Sequence, residues 1–403
     1  MALTDAQLKT IMGKLFLFKD PMPVLPKPVN TDDGTDPAHF ASRMKPVANN
    51  PRFKAISFAV VDFTADPIKP RVFLHKEDTP FRMGSAGKIA ALLAAAQLRD
   101  DVRNVKETTF VTSPADFDDL FSTIWLKSAV PGVKAIAGKD GAPRVSTTID
   151  VSKPKPDFMG ADVPLDRSNL PRTDDWSRMP DFSFRDRLWL MGSKSDNVAS
   201  ASCISEIGLA YMKAVQRAYG LWVDDARKGM RMLVASGYSE VRPKTPVSKV
   251  AGAPTYRTFR KKDNEKHLVK DSYIDGTDDP HDSSQSGSVA ALTAYMIALI
   301  QDKLVNKDGC DAIKTFLADN GLDTLSGSLV EGVDQIATIG KAHAKGGALG
   351  ILRCDLAYIE SAGKKYAIVA QGLLPFKVGT SWVKAREQGH ELAKAIHTAL
   401  IAP

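Results

Sequence analysis

Strand-like sequence sits near the two ends of this chain and is scarce between them. KAISFAVVDFT (54–64) and RVFLHK (71–76) are rich in β-branched and aromatic residues, and a Pro-containing connection between them suits an antiparallel pair. AKGGALGILRCDLAYIES (344–361) and KKYAIVAQGLL (364–374) repeat the pattern near the far end, hinged by a turn at Ala362–Gly363. The long middle reads as helix and loop. From Ser85 to about Arg99 the chain is alanine-rich, with Ile89, Leu92, Leu93 and Ala96 at helical spacing, as a buried helix requires. Further helices are predicted over 184–192, 198–219, 287–305 and 309–319, and SWVKAREQGHELAKAIHTALI (381–401) closes the chain as an amphipathic helix. Strands so far apart in sequence can share one sheet only if the middle packs as a body of its own. The expected class is therefore α/β of the α+β type: an antiparallel sheet of N- and C-terminal strands flanked by helices, plus a helical subdomain.

The same pattern divides the chain. Residues 1–50 read as an N-terminal helix and an extended lead-in rich in Pro, Asp and Asn. Residues 51–84 and 335–403 form the sheet subdomain, and 85–334 the helical one. Within the latter, 130–183 carries many Pro, Asp, Lys and Gly residues with little periodicity and reads as an elaborated surface insertion. Residues 236–285 are polar and loop-like.

Composition narrows the partners. No stretch of the 403 residues approaches the roughly 18 to 20 continuous apolar positions of a membrane helix, so no membrane span is expected. The N-terminus places Leu8, Ile11, Met12 and Leu15 on one helical face and lacks a charged start, an apolar run and a small-residue cleavage site. It is read as no signal peptide, which points to the cytoplasm, or to the periplasm or outside if a signal has been removed. Net charge is +7 and spread along the chain; the densest basic run, RKKDNEKHLVK (260–270), lacks the aromatic interleaving of a nucleic-acid platform and is read as a solvated face. Cys203, Cys310 and Cys354 are odd in number, far apart and set in apolar contexts, which argues for buried thiols rather than disulfides or zinc. The histidines, His267 and His281 among them, show no ligand spacing, and no metal or cofactor is expected.

One local pattern carries chemistry. A serine hydroxyl needs a neighbouring base to become nucleophilic, and S-x-x-K on a helix puts an amine one turn from the hydroxyl. If burial and nearby cations lower its pKa, that amine can take the serine proton. The pattern occurs five times, at Ser42, Ser85, Ser152, Ser361 and Ser381. Ser42 falls in the lead-in, Ser152 in a Pro/Lys loop, Ser361 in a strand-to-strand turn and Ser381 at the cap of the last helix. Only Ser85-Ala-Gly-Lys88 follows a strand pair and opens a buried helix, where backbone N–H groups also point at the serine oxygen. Two more polar motifs follow in order: Ser195-Asp196-Asn197 between two helices, and Lys345-Gly346-Gly347 entering the first late strand.

Together these resemble the three signatures of the serine β-lactamases and penicillin-binding proteins, S-x-x-K, S-D-N and K-T-G. FRMGSAGKIAALLAA looks like that family's nucleophile helix, and SSQSGSVAALTAYMIALIQDKLV resembles the helix before its last strands. The resemblance covers about 54–100 and 184–403. It implies a hydrolase acting on an amide, ester or lactone, or on a peptide-like substrate, through an acyl-enzyme at Ser85. Lys88 would activate Ser85; Ser195 would relay a proton to the leaving group, supported by Lys345. Asn197 would bind the substrate amide and orient Lys88, while Asp196 would hold its loop. The oxyanion would lie between the N–H groups of Ser85 and Ala348, with Ala348 on an edge strand beside Gly346 and Gly347.

Departures are informative. Gly346 replaces the hydroxyl residue of K-T-G that helps bind a substrate carboxylate, and the paired glycines leave room for a bulkier acyl group. No E-x-x-L-N segment follows S-D-N; Glu240 is the nearest acidic candidate for a deacylating base. His343, two residues before Lys345, would share its face on a strand, as a structural histidine or a group assisting proton transfer. Two alternatives remain at this point: an acyltransferase using the same first half-reaction, and a non-catalytic binding or sensor domain on the same scaffold. Glutaminases share the broad fold and a Ser–Lys pair, but S-D-N is not their hallmark.

Overall fold

The structure, a computed structural model, describes residues 3–19, 21–22, 24–31, 40–127, 142–163, 176–221, 232–233, 286–319, 327–349, 352–373 and 382–402. Its strands are β1 (Ser57–Asp62), β2 (Arg71–His75), β3 (Pro80–Arg82), β4 (Ile149–Asp150), β5 (Asp157–Phe158), β6 (Met232–Leu233), β7 (Ser286–Ser288), β8 (Ala318–Asp319), β9 (Ile339–Leu349), β10 (Leu352–Ser361) and β11 (Lys364–Leu373). Its helices are α1 (Asp5–Met12), α2 (Phe40–Asn49), α3 (Ile89–Lys106), α4 (Pro114–Lys127), α5 (Val145–Thr148), α6 (Phe184–Gly192), α7 (Asn197–Ile207), α8 (Leu209–Ala218), α9 (Val289–Ile300), α10 (Lys307–Phe316), α11 (Ser328–Asp334) and α12 (Trp382–Ile401).

The two ends of the chain do meet in one sheet, ordered β2-β1-β11-β10-β9-β8 and antiparallel at every described pairing. All six residues of β1 are buried because both faces of the sheet are covered, which is why the strand reads as a nearly continuous apolar run. Phe58 and Val60 face one layer with Phe40 and Met44 of α2, Leu329 and Val333 of α11, and Leu392 and Ile396 of α12. Ala59 and Val61 face the other, larger layer, built on α3 and α6 to α10. The β10–β11 hairpin turns at Ala362 and Gly363, with φ of 49° and 72°. Two consecutive left-handed residues are what a tight two-residue hairpin requires.

Several boundaries differ from those read in the sequence, each for a local reason. The helix after Ser85 opens as a 3₁₀ turn and continues past Arg99 to Lys106, its last turns anchored by buried Val102 and Val105. The 198–219 helix is two helices, because Gly208 at φ 83° breaks it. The 287–305 helix stops at Ile300; Asp302 and Val305 behind it are left-handed. The 309–319 helix ends at Phe316, and Ala318–Asp319 pair instead with the sheet. The first late strand begins at Ile339 rather than 344 and is distinct from β10.

Two larger corrections concern the supposed surface segments. Part of the lead-in is helix α2, which buries Phe40, Met44 and Val47 despite Pro46, so Ser42 lies on a helix in the layer beyond the sheet. Residues 30–31 line the outer edge of β2: Thr31 N donates to the Val72 carbonyl (2.8 Å), and Val72 N and Leu74 N donate to Thr31 Oγ1 (2.7 Å) and Asn30 Oδ1 (2.6 Å). That covers an edge that would otherwise offer free backbone donors. The described part of the 130–183 insertion is not a surface excursion either, since Val145, Ile149, Val151, Phe158 and Met179 are in the main core. Arg99 ties it down from α3, donating to Asp157 Oδ1 (2.9 Å) and to Asp308 Oδ2 (2.8 Å) on α10. The polar stretch 236–285, with Glu240, His267, His281 and the basic run, lies outside the described residues, as does Ser381. Among the described residues no helix is long and apolar enough to cross a membrane.

Candidate active site

The nucleophile's turn, Gly84–Lys88, runs directly into α3. A 3₁₀ turn has three residues per revolution, so positions i and i+3 eclipse and Ser85 and Lys88 project from one side. Ser85 is half-buried, whereas Lys88 is fully buried.

Lys88 points at the loop between α6 and α7. Its Nζ donates to the Ser195 carbonyl (2.6 Å) and Asn197 Oδ1 (2.9 Å), and lies 3.3 Å from both Ser195 Oγ and the Asp196 carbonyl. Lys345, fully buried on β9, donates from Nζ to Ser195 Oγ (2.8 Å) and to the Gly346 carbonyl (2.9 Å). Two amines, one from the helical half and one from the sheet, thus converge on a single hydroxyl that is itself 5% exposed.

The loop is built for this. Ser195 adopts φ 57°, a left-handed conformation that disfavours a side-chain-bearing residue by roughly 1–2 kcal/mol. The conformation lets its carbonyl and hydroxyl both reach Lys88. Neighbouring bonds hold it there: Asp196 N donates to the Leu190 carbonyl (3.0 Å), and Asp196 Oδ1 caps α7 by accepting from Ala199 N (2.8 Å). Asp196 therefore holds the loop, as the resemblance implied.

The opposite wall is backbone against backbone. A Cβ on Gly347 would lie 2.0 Å from the Met83 carbonyl oxygen, 2.4 Å from Ala86 N and 2.7 Å from Ser85 N. A Cβ on Gly84, whose φ is +50°, would lie 2.7 Å from the Ala348 carbonyl oxygen. Two glycines thus let β9 and the nucleophile's turn close to contact. Ala348 is exposed at this seam, and its main chain lies against Gly84, the residue before the half-buried Ser85. On the outer side of β9, β8 pairs only Ala318 with Ala344 and Asp319 with His343, too short a pairing to read in advance, and among the described residues no strand pairs with Ala348 on that side.

The structure brings Ser85, Lys88, Ser195, Asn197, Lys345, Gly346, Gly347 and Ala348 to one place. Sequence reasoning missed Gly84, although a glycine immediately before a helix-opening serine was a usable signal. His343 shares the Lys345 face but stacks on Tyr358, ring centroids 6.1 Å apart, and burial, then Lys341 and Lys314, push its pKa down to about 4. It is a neutral structural histidine. The three cysteines are free and buried, and burial pushes Cys310 and Cys354 up to about 12 and Cys203 higher still.

Among solved structures the chain is similar to a β-lactamase from Sphaerobacter thermophilus DSM 20745 (14% identity over 91% of this chain and 99% of that one, TM-score 0.45). It is also similar to a class A β-lactamase from Mycobacterium abscessus (14%, 90% and 98%, TM-score 0.45) and to a β-lactamase from Burkholderia vietnamiensis (13%, 91% and 99%, TM-score 0.47). No curated protein matches. The family model described as the β-lactamase enzyme family matches residues 157–371, more than half of the chain, and that span holds the Ser195 loop and the Lys345 strand. The chain belongs to the β-lactamase enzyme family.

Proposed function

We propose that the protein is a serine hydrolase that cleaves an amide, ester or lactone through an acyl-enzyme at Ser85. The observation that carries the reading is the convergence of Lys88 and Lys345 on Ser195 Oγ, beside a half-buried Ser85. Ser85 Oγ attacks the carbonyl carbon while its proton passes to Lys88, which must be the free amine to accept it. The developing oxyanion accepts hydrogen bonds from the N–H groups of Ser85 and Ala348; preorganised donors of this kind contribute about 3 kcal/mol each. As the carbonyl carbon's bond to the leaving group breaks, Ser195 gives its proton to the departing oxygen or nitrogen and is reprotonated by Lys88, which passes on the proton it took from Ser85 and returns to the free amine, with Lys345 stabilising the transient negative charge. Water then attacks the ester, releases the acid and restores the Ser85 hydroxyl. Asn197, donating through its Nδ2 while Oδ1 holds Lys88, is suited to bind the substrate's amide carbonyl.

Gly346 bears on specificity. With no hydroxyl at this position, the substrate-carboxylate contact made by the K-T-G motif has no counterpart in residue 346. A panel of esters, amides, D-amino peptides and β-lactams, run with wild type, Ser85→Ala and Lys88→Ala, tests the reading. Turnover abolished by Ser85→Ala and nearly so by Lys88→Ala supports it. Near-wild-type rates for Lys88→Ala on p-nitrophenyl esters refute the Ser–Lys pair.

A further inference from the structure

Gly192 ends α6 three residues before Ser195. Its φ is not positive, so backbone freedom does not explain a glycine there, and inside a helix glycine is a poorer residue than alanine. Space explains it. A Cβ on Gly192 would lie 2.2 Å from the Phe316 carbonyl oxygen and 3.0 Å from its carbon, with Leu92 Cδ1 at 3.4 Å on another side. The close partner is backbone, which cannot swing aside as a side chain end can.

Each neighbour leads to a different part of the site. Leu92 is on α3, one turn beyond Lys88. Phe316 ends α10, and two residues later Ala318–Asp319 pair with Ala344 and His343 on β9, next to Lys345. Gly192 itself leads into the Ser195 loop through Ser193 N, which donates to the Trp189 carbonyl (2.8 Å). The helix that follows Ser85 and Lys88 and the one that leads to Ser195 therefore meet the end of α10 at one residue, and α10 reaches the Lys345 strand through β8.

We propose that Gly192 is a positioning residue for the reaction: by letting the Phe316 carbonyl close on α6, it sets the 2.8 Å approach of Lys345 Nζ to Ser195 Oγ. The inference rests on the proton relay assigned above. A side chain at 192 pushes α10 and β8 off α6, and β9 moves with β8. Proton delivery to the leaving group weakens, while attack by Ser85 on a carbonyl with a good leaving group does not.

The test is Gly192→Ala on an ester series of graded leaving-group pKa, with unfolding monitored alongside. With p-nitrophenyl esters, which need no proton, kcat should stay within about threefold of wild type, and alkyl esters should fall about 100-fold, KM changing little. A uniform loss across the series, or none, overturns the proposal. If Gly192→Ala yields no folded protein, Ala318→Pro, which weakens the β8–β9 pairing and leaves α6 untouched, must give the same selective loss; a uniform loss or none again overturns it. A wild type lacking Ser85-dependent turnover throughout would be recognised before either variant is made, and it would sink the functional reading and this inference with it.

Discussion

The Cβ that Gly347 lacks would lie 2.7 Å from the backbone nitrogen of Ser85. A strand from near the C-terminus is thus pressed, main chain to main chain, against the turn that opens α3. The contact exists only because position 347 carries no Cβ to strike the turn's backbone.

Gly347→Ala must therefore move one wall of the site. Relieving contacts of 2.0 and 2.4 Å with Met83 and Ala86 backbone means shifting β9 or the turn. Overpacking of this kind destabilises by about 1–3 kcal/mol, and a displacement of about 1 Å at the reacting atoms lowers turnover about 100-fold. Denaturant unfolding and kcat/KM on an activated ester check both; an alanine variant with wild-type activity contradicts the contact.

Asp101 links stability to pH. Its carboxylate accepts from Phe16 N (2.9 Å), Gln97 Nε2 (3.1 Å) and Tyr211 Oη (2.8 Å), yet burial pushes its pKa up from 3.8 to about 7, those hydrogen bonds opposing and Asp100 adding to the rise. Between 3.8 and about 7 the native protein holds a proton the unfolded chain has lost. The contribution is thus fully present below the unfolded value and is lost as pH rises through the folded one. Unfolding free energies from pH 4 to 8 should fall for wild type relative to Asp101→Asn; a difference that does not vary with pH contradicts this.

Ala362 pays for its place in the β10–β11 turn. At φ 49° it is exposed and left-handed, where asparagine is better suited. Ala362→Asn should stabilise the protein by about 1 kcal/mol in denaturant unfolding and leave activity unchanged. No gain contradicts the turn assignment.

Burial pushes the His343 pKa down to about 4, which leaves it neutral at physiological pH, and its stack on Tyr358 suits a structural role outside the proton relay. His343→Phe, which keeps the stack on Tyr358, should leave the rate and its pH profile within about threefold of wild type, against the 100-fold or greater effect of removing a general base.

The motifs were legible because chemistry demands particular residue types at fixed intervals along one turn or strand: Ser85 with Lys88, Ser195 with Asn197, Lys345 before its glycines. The sheet was legible because strands covered on both faces, such as β1, are nearly continuous apolar runs. What escaped notice depends on partners distant in sequence. Ala318–Asp319 is a strand only because β9 offers an unpaired stretch at 343–344. Pro46 masks α2, which forms because Phe40 and Met44 find the sheet's far face. The sparse apolar residues of the insertion, Val145 to Phe158, reveal their burial only when Arg99 and Arg103 draw the segment onto α3. The left-handed Ser195 carries no sequence mark at all.

The most direct measurement is the intact mass of folded wild type and Ser85→Ala after exposure to a fluorophosphonate probe and to a fluorescent penicillin, followed by peptide mapping. With a hydroxyl activated by the amine one turn on, at least one reagent adds a single equivalent to wild type, on the peptide bearing residue 85, and none to the variant. No adduct on wild type with either reagent, or one that persists in Ser85→Ala, contradicts the assignment of the nucleophile.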